Sequence, residues 1–161
     1  LVSFRTDIAS NTEIAQTAGI INKDGSITFP DRCGFTAIQG IASVYAVVEH
    51  RNHIGIMTPN RVEIINGVLT HDFRTSESYR DPTGFGQKQL STGEWAMYAG
   101  DVDQSDFPSF DIKGTDKSEW ILDNGVFDQY LNTDFDLNGD VNGADKLLWF
   151  ENNGISSRVP K

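Results

Sequence analysis

From Leu1 to about Phe73 the chain alternates apolar and polar positions or runs apolar for a few residues at a time. The segments "LVSFRT", "IAQTAGIIN", "GSITF", "SVYAVVEHR", "HIGIMT" and "VEIING" carry this pattern. A period of two sends successive side chains to opposite faces of a strand, and almost no helical period of 3.6 competes with it here. The dipeptides Asp24-Gly25 and Asn66-Gly67 punctuate the runs with residues that favour tight hairpin turns. Residues 1–99 are therefore expected to form an antiparallel β-sandwich, making the protein mostly β. Between Arg74 and Gly93 the sequence "RTSESYRDPTGFGQKQLSTG" turns polar and glycine-rich, which predicts an exposed loop. A boundary is expected within this loop or at Gly100, leaving 100–161 as a second segment.

That segment contains an internal repeat. "DKSEWILDNG" from Asp116 and "DKLLWFENNG" from Asp145 share Asp, Lys, Trp, Asn and Gly at the same positions, offset by 29 residues. Trp stands one turn after Asp, and Asn-Gly closes each decamer. Each is expected to be a short helix stopped by its glycine.

The residues before the second decamer have the spacing of a cation loop. Counting from Asp134, positions 1, 3, 5, 7, 9 and 12 are Asp134, Asp136, Asn138, Asp140, Asn142 and Asp145. Gly139 falls at position 6, where a chain wrapped around an ion turns sharply, and Val141 at position 8, where an apolar residue normally pairs with its counterpart in a second loop. Hard oxygen donors without His or Cys select calcium over zinc. All donors come from the protein, with no position reserved for a reactant, so the ion is expected to hold shape rather than do chemistry. The first repeat carries a degenerate version. Read forward from Gly100, Asp101, Asp103 and Ser105 match positions 1, 3 and 5; read backward from Asp116, Asp111 and Ile112 match Asp140 and Val141. Four extra residues and Lys113 at position 9 separate this loop from the regular spacing. One calcium ion is expected in the second loop, and the first is a candidate for another. Asp-Asn-Gly clusters also make ordinary turns, so the argument rests on the paired, helix-followed repeat.

Charge sharpens this picture. The net charge is −10, with ten acids and eight bases in residues 1–100, but twelve acids against Lys113 and Lys117 in 101–145. A surface of this sign repels the phosphates of nucleic acid and of anionic membranes. No apolar run reaches the roughly 18 residues needed to cross a bilayer, and the start of the chain lacks the pattern of a signal peptide. The single cysteine, Cys33, excludes an internal disulfide and has no activating neighbour in the sequence.

The tandem "DKxxWxxxNG" units and "DFDLNGDVNGAD" resemble the calcium repeats of type I dockerins, which also end their loops in Asp. With "VYAVVEHRNHIGIMT", "WAMYAGDVD" and the closing "SRVP", nearly the whole chain resembles the C-terminal module of secreted polysaccharide-degrading or haemagglutinin-like proteins of Bacteroidetes-type bacteria. The resemblance implies a transthyretin-like or carbohydrate-binding-type β-sandwich followed by a dockerin-like appendage. It implies an extracellular or cell-surface protein, with catalytic or adhesin domains attached in the parent chain.

Two histidines flank Arg51-Asn52, and on a flat strand they would point to opposite faces, so a structural role is expected for them. No nucleophile motif accompanies His50, and no two acids among Glu49, Glu63, Asp72 and Glu94 can be placed as a hydrolytic pair from sequence. A non-enzymatic binding module is the expectation, monomeric, with a polysaccharide as ligand. Sugar rings stack on aromatic side chains, and their hydroxyl or sulfate groups suit Arg and Lys. The candidate contacts are Tyr79, Arg80, Lys88, Trp95, Arg51 and Arg74, with Phe85 and Gln87 beside them; the rival reading is a dockerin-like protein-interaction or spacer module using Lys117, Ser118, Lys146 and Leu147.

Overall fold

The computed structural model describes residues 1–22, 26–29, 38–84, 86–103 and 110–161. The Asp24-Gly25 turn, Cys33, Phe85 and Ser105 lie outside the described residues. The protein is mostly β, with antiparallel sheets and two helices. It divides into two compact units: one comprises Leu1–Glu49, Ile56–Ala96 and Arg158–Lys161, the other His50–Gly55 and Met97–Ser157.

The first unit is organised around β5 (Ser43–His50), the longest strand described. β1 (Val2–Arg5) pairs with it and with β2 (Glu13–Thr17). β6 (His53–Met57), of which Ile56 and Met57 belong to this unit, also pairs with β5; β7 (Val62–Ile65) pairs with β5 through Val62 and Glu63 and continues to β8 (Val68–Leu69). The turn between β7 and β8 is Asn66-Gly67, with φ +52° and +77°, the left-handed pair that the Asn-Gly signal predicts. Val44, Ala46 and Val48 of β5 are buried, with Val2 opposite Val48 and Phe4 opposite Ala46. Val47, on the other face, packs with Met57 and Val159, and with Tyr45 and Tyr79. Both faces of β5 are thus covered, which accounts for its run "VYAVV" being apolar where a half-buried strand would alternate. Two smaller antiparallel pairs complete the unit: β3 (Ile20–Ile21) with β4 (Ile27–Thr28), and β9 (Lys88–Gln89) with β10 (Trp95–Ala96). A 3-10 turn spans Ser10–Thr12.

The second unit holds both helices, α1 (Gly114–Asp123) and α2 (Gly143–Asn152). Each begins two residues before its repeated Asp, because that Asp occupies the third helical position and reaches back to the cap. Each is closed by an Asn C-cap, Asn124 or Asn153, followed by a glycine at φ +95° (Gly125) or +93° (Gly154), a conformation that residues other than glycine adopt at a cost. The core is Ile54, Ala99, Ile112, Trp120, Phe135, Val141 and Trp149. The two repeats exchange contacts reciprocally: Trp120 Nε1 donates to the Asn142 carbonyl at 3.2 Å, and Trp149 Nε1 to the Lys113 carbonyl at 2.8 Å. Each tryptophan therefore binds the N-cap residue of the other helix. Lys146 and Lys117 lie 5.8 and 5.5 Å from the ring centres of Trp120 and Trp149.

Candidate metal centre

Asp145 organises the loop in front of α2. It is fully buried, and its Oδ1 accepts the Phe135 and Asp136 amides at 2.7 and 3.2 Å while its Oδ2 accepts Asn142 N at 2.8 Å. Three backbone donors satisfy a carboxylate that would otherwise be costly to bury. Asp134, also buried, closes the loop from its other end: its two oxygens accept Asn138 N at 3.1 Å and Gly139 N at 3.0 Å. Gly139, at φ +95°, makes the expected sharp turn. Asp136 accepts the Asn138 amide N and side-chain Nδ2 at 3.2 and 2.9 Å.

The consequence is a triad: Asp134, Asp136 and Asp145 each offer a carboxylate oxygen, all within 4.8 Å of one another. Burial, and then the charges of Asp145 and Asp134, push the Asp136 carboxyl above its ordinary range. Three acids held this close repel one another in the absence of a counter-charge, and their all-oxygen chemistry fits a hard divalent cation. The triad can hold a metal ion.

The other predicted donors of this loop have backbone work. Asn138 Oδ1 accepts Asp140 N at 2.8 Å, Asp140 Oδ1 accepts Asp128 N at 3.2 Å, and Asn142 Oδ1 caps α2 by accepting Ala144 N at 2.8 Å. Val141 does not bond its counterpart Ile112. Its amide donates to the Val126 carbonyl, and its carbonyl accepts from Gly125; Ile112 does the same with Ile155 and Gly154. Each loop is stitched to the residues that follow a helix, because the glycine stop turns the chain back there.

In the first repeat Asp116 copies Asp145: its Oδ1 accepts Val102 N and Asp103 N, both at 2.8 Å, and its Oδ2 accepts Lys113 N at 2.7 Å. Burial raises its pKa against the pull of these donors. Asp101 is buried, Asp103 is half-buried, and Asp111 forms an isolated bridge with Ser156. Among the described residues only the Asp134 triad brings three such groups together.

No family model, curated protein or solved structure matches the chain.

The hairpin turn between β5 and β6 supplies contacts that the sequence did not announce. Arg51 Nη1 donates to the Leu131 carbonyl at 2.6 Å and its guanidinium lies 3.5 Å from the centre of the Tyr130 ring. Asn52 is fully buried, and its Nδ2 donates to the Asp134 carbonyl at 2.6 Å. The remaining candidate contacts lie in the first unit. Lys88 and Trp95 share the β9–β10 pair, and Trp95 N donates to the Arg74 carbonyl at 2.9 Å. Arg74 forks onto Asp72. Tyr79 and Arg80 line a cleft of about 380 Å³ with Pro59 and Glu77, and Arg80 lies 4.0 Å from Glu77. Gln87 is buried and fastens this loop, accepting Ser78 N at 2.9 Å and donating to the Phe73 carbonyl at 3.1 Å.

Among the described residues no helix is long and apolar enough to cross a membrane.

Proposed function

We propose that the protein is a non-catalytic binding module whose second unit, dockerin-like and folded around structural calcium at Asp134, Asp136 and Asp145, presents its helices to a protein partner. The observation that carries this reading is an exposed apolar face. Ile121 and Phe150 occupy equivalent positions of the two repeats and are 56% and 70% exposed, with Leu122 and Leu147 beside them. Large apolar side chains left in water on both repeat helices mark an interaction surface. The first unit, read as a β-sandwich, exposes no Trp, Tyr or Phe in this way among its described residues, which weakens the case for a sugar-stacking strip.

Polysaccharide binding is the second reading, favoured by Lys88 and Trp95 standing on the same two-stranded β9–β10 pair and by Arg74, whose carbonyl accepts the Trp95 amide. Secretion and attachment to a longer chain follow from the same resemblance. The test is to challenge the calcium-loaded protein in parallel with immobilised cohesin-type domains and with gels containing sulfated and neutral polysaccharides. Retention on a protein partner that is lost in Ile121→Ser and Phe150→Ser variants is expected. Retardation by a polysaccharide, unaffected by those changes and removed by Trp95→Ala, would replace the docking reading with the second.

A further inference from the structure

We propose that the hairpin turn Arg51–Asn52 is the positioning element of the metal loop, so that the affinity of the acidic triad for calcium depends on side chains that never touch the ion. The inference rests on the metal reading of Asp134, Asp136 and Asp145. Its ground is what the turn holds. Asn52 binds the carbonyl of Asp134, the first acid of the triad, and Arg51 binds the carbonyl of Leu131, three residues earlier. Leu131 O also accepts the Asp134 amide at 3.4 Å, so both ends of the Asp134 backbone unit are tied, directly or through Leu131, to the turn. The Asn52 carbonyl in turn accepts Gly100 N at 2.9 Å and Asp101 N at 3.3 Å, at the start of the first repeat. One buried residue thus fixes the backbone at the entry to both repeats.

The Asn52 amide has one orientation available. Its Nδ2 faces the Asp134 carbonyl, so its Oδ1 faces His53 Nδ1, 2.7 Å away, and that nitrogen must donate. His50 Nδ1 lies 3.0 Å from His53 Nδ1, so both histidines pack around this amide. The two histidines lock the amide that locks the loop. Holding a loop in its bound geometry before the ion arrives removes part of the ordering cost of binding.

Calorimetric titration of calcium into wild type, Asn52→Ser, Arg51→Met and Asn152→Ser tests this. Asn152 is the control: it is a buried asparagine of the same unit whose side chain donates to the Ala99 carbonyl at 2.8 Å and has no bond to the triad loop. Loss of one such hydrogen bond corresponds to about a tenfold change in an equilibrium. Asn52→Ser and Arg51→Met are each expected to bind roughly tenfold more weakly, while Asn152→Ser melts lower without calcium yet binds with wild-type affinity. Wild-type affinity in both turn variants overturns the inference and leaves the metal reading standing. Equal loss in Asn152→Ser also overturns it, by making the effect one of general stability. Absence of binding in wild type removes the metal reading itself. Should Asn52→Ser fail to fold, Arg51→Met carries the same decision alone.

Discussion

His53 shows how much of the site depends on the environment of single groups. Burial first, and then the charges of His50 and Arg51, depress its pKa from 6.5 to about 3. The folded protein keeps this imidazole neutral where the unfolded chain takes up a proton, so the unfolded state gains protons as the pH falls below 6.5. The stability it contributes is therefore present above pH 6.5 and drains away as the pH drops from there towards about 3. Replacing His53→Gln should flatten the fall of melting temperature across that window, relative to wild type; an unchanged slope would show that the proton is taken up elsewhere. None of this was legible in "HRNH". Asn52 and Arg51 find their partners 82 and 80 positions away, and a local pattern carries no information about contacts of that range. Asp134, Asp136 and Asp145, by contrast, belong to one short loop whose spacing is itself the signal.

At the level of elements, the duplicated decamers became duplicated geometry. Asp116 and Asp145 each take three backbone amides, Lys113 and Asn142 stand at equivalent N-caps with φ −147° and −148°, and the tryptophans cross between the two. The helices could be read from the repeat because the apolar period and the glycine stop both lie within its ten residues. Their exact starts could not, since the repeated Asp looks like a helix beginning and serves as a third-position residue. The short strands β8 to β10 were hidden as well: two-residue pairs such as Lys88–Gln89 leave no periodicity to detect. The reciprocal tryptophans suggest a measurable coupling. Trp149→Phe deletes the donor to the Lys113 carbonyl and part of a buried ring, which should cost about 2 kcal/mol in denaturant unfolding. Trp120→Phe should cost a similar amount, and the double variant should fall short of the sum because each indole supports the helix that carries the other.

For the molecule as a whole, the path of the chain matters as much as its content. The first unit is completed by residues from the far end: Arg5 Nη1 donates to the Pro160 carbonyl at 2.7 Å, Arg158 Nη1 donates to Thr83 Oγ1 at 2.6 Å, and Val159 is buried against Val47 and Met57. Deleting Arg158–Lys161 should lower the stability of the first unit by at least the burial of one valine, about 2 kcal/mol, with the loss of Pro160 as partner to the buried Arg5 adding to it. Hydrogen exchange at β1 and β5 would report the loss, and amides of α1 and α2 should keep their protection. Sequence patterning separated a β-rich portion from a helical one, but it had no means of assigning the closing residues, or His50–Gly55, to a unit, because membership is decided by contact. This interleaving also has a meaning in time. A ribosome joins residues in chain order, so every residue of the second unit is synthesised before Arg158–Lys161. The unit begun first must wait for Arg158–Lys161 to seal, and the unit begun later has all its parts earlier.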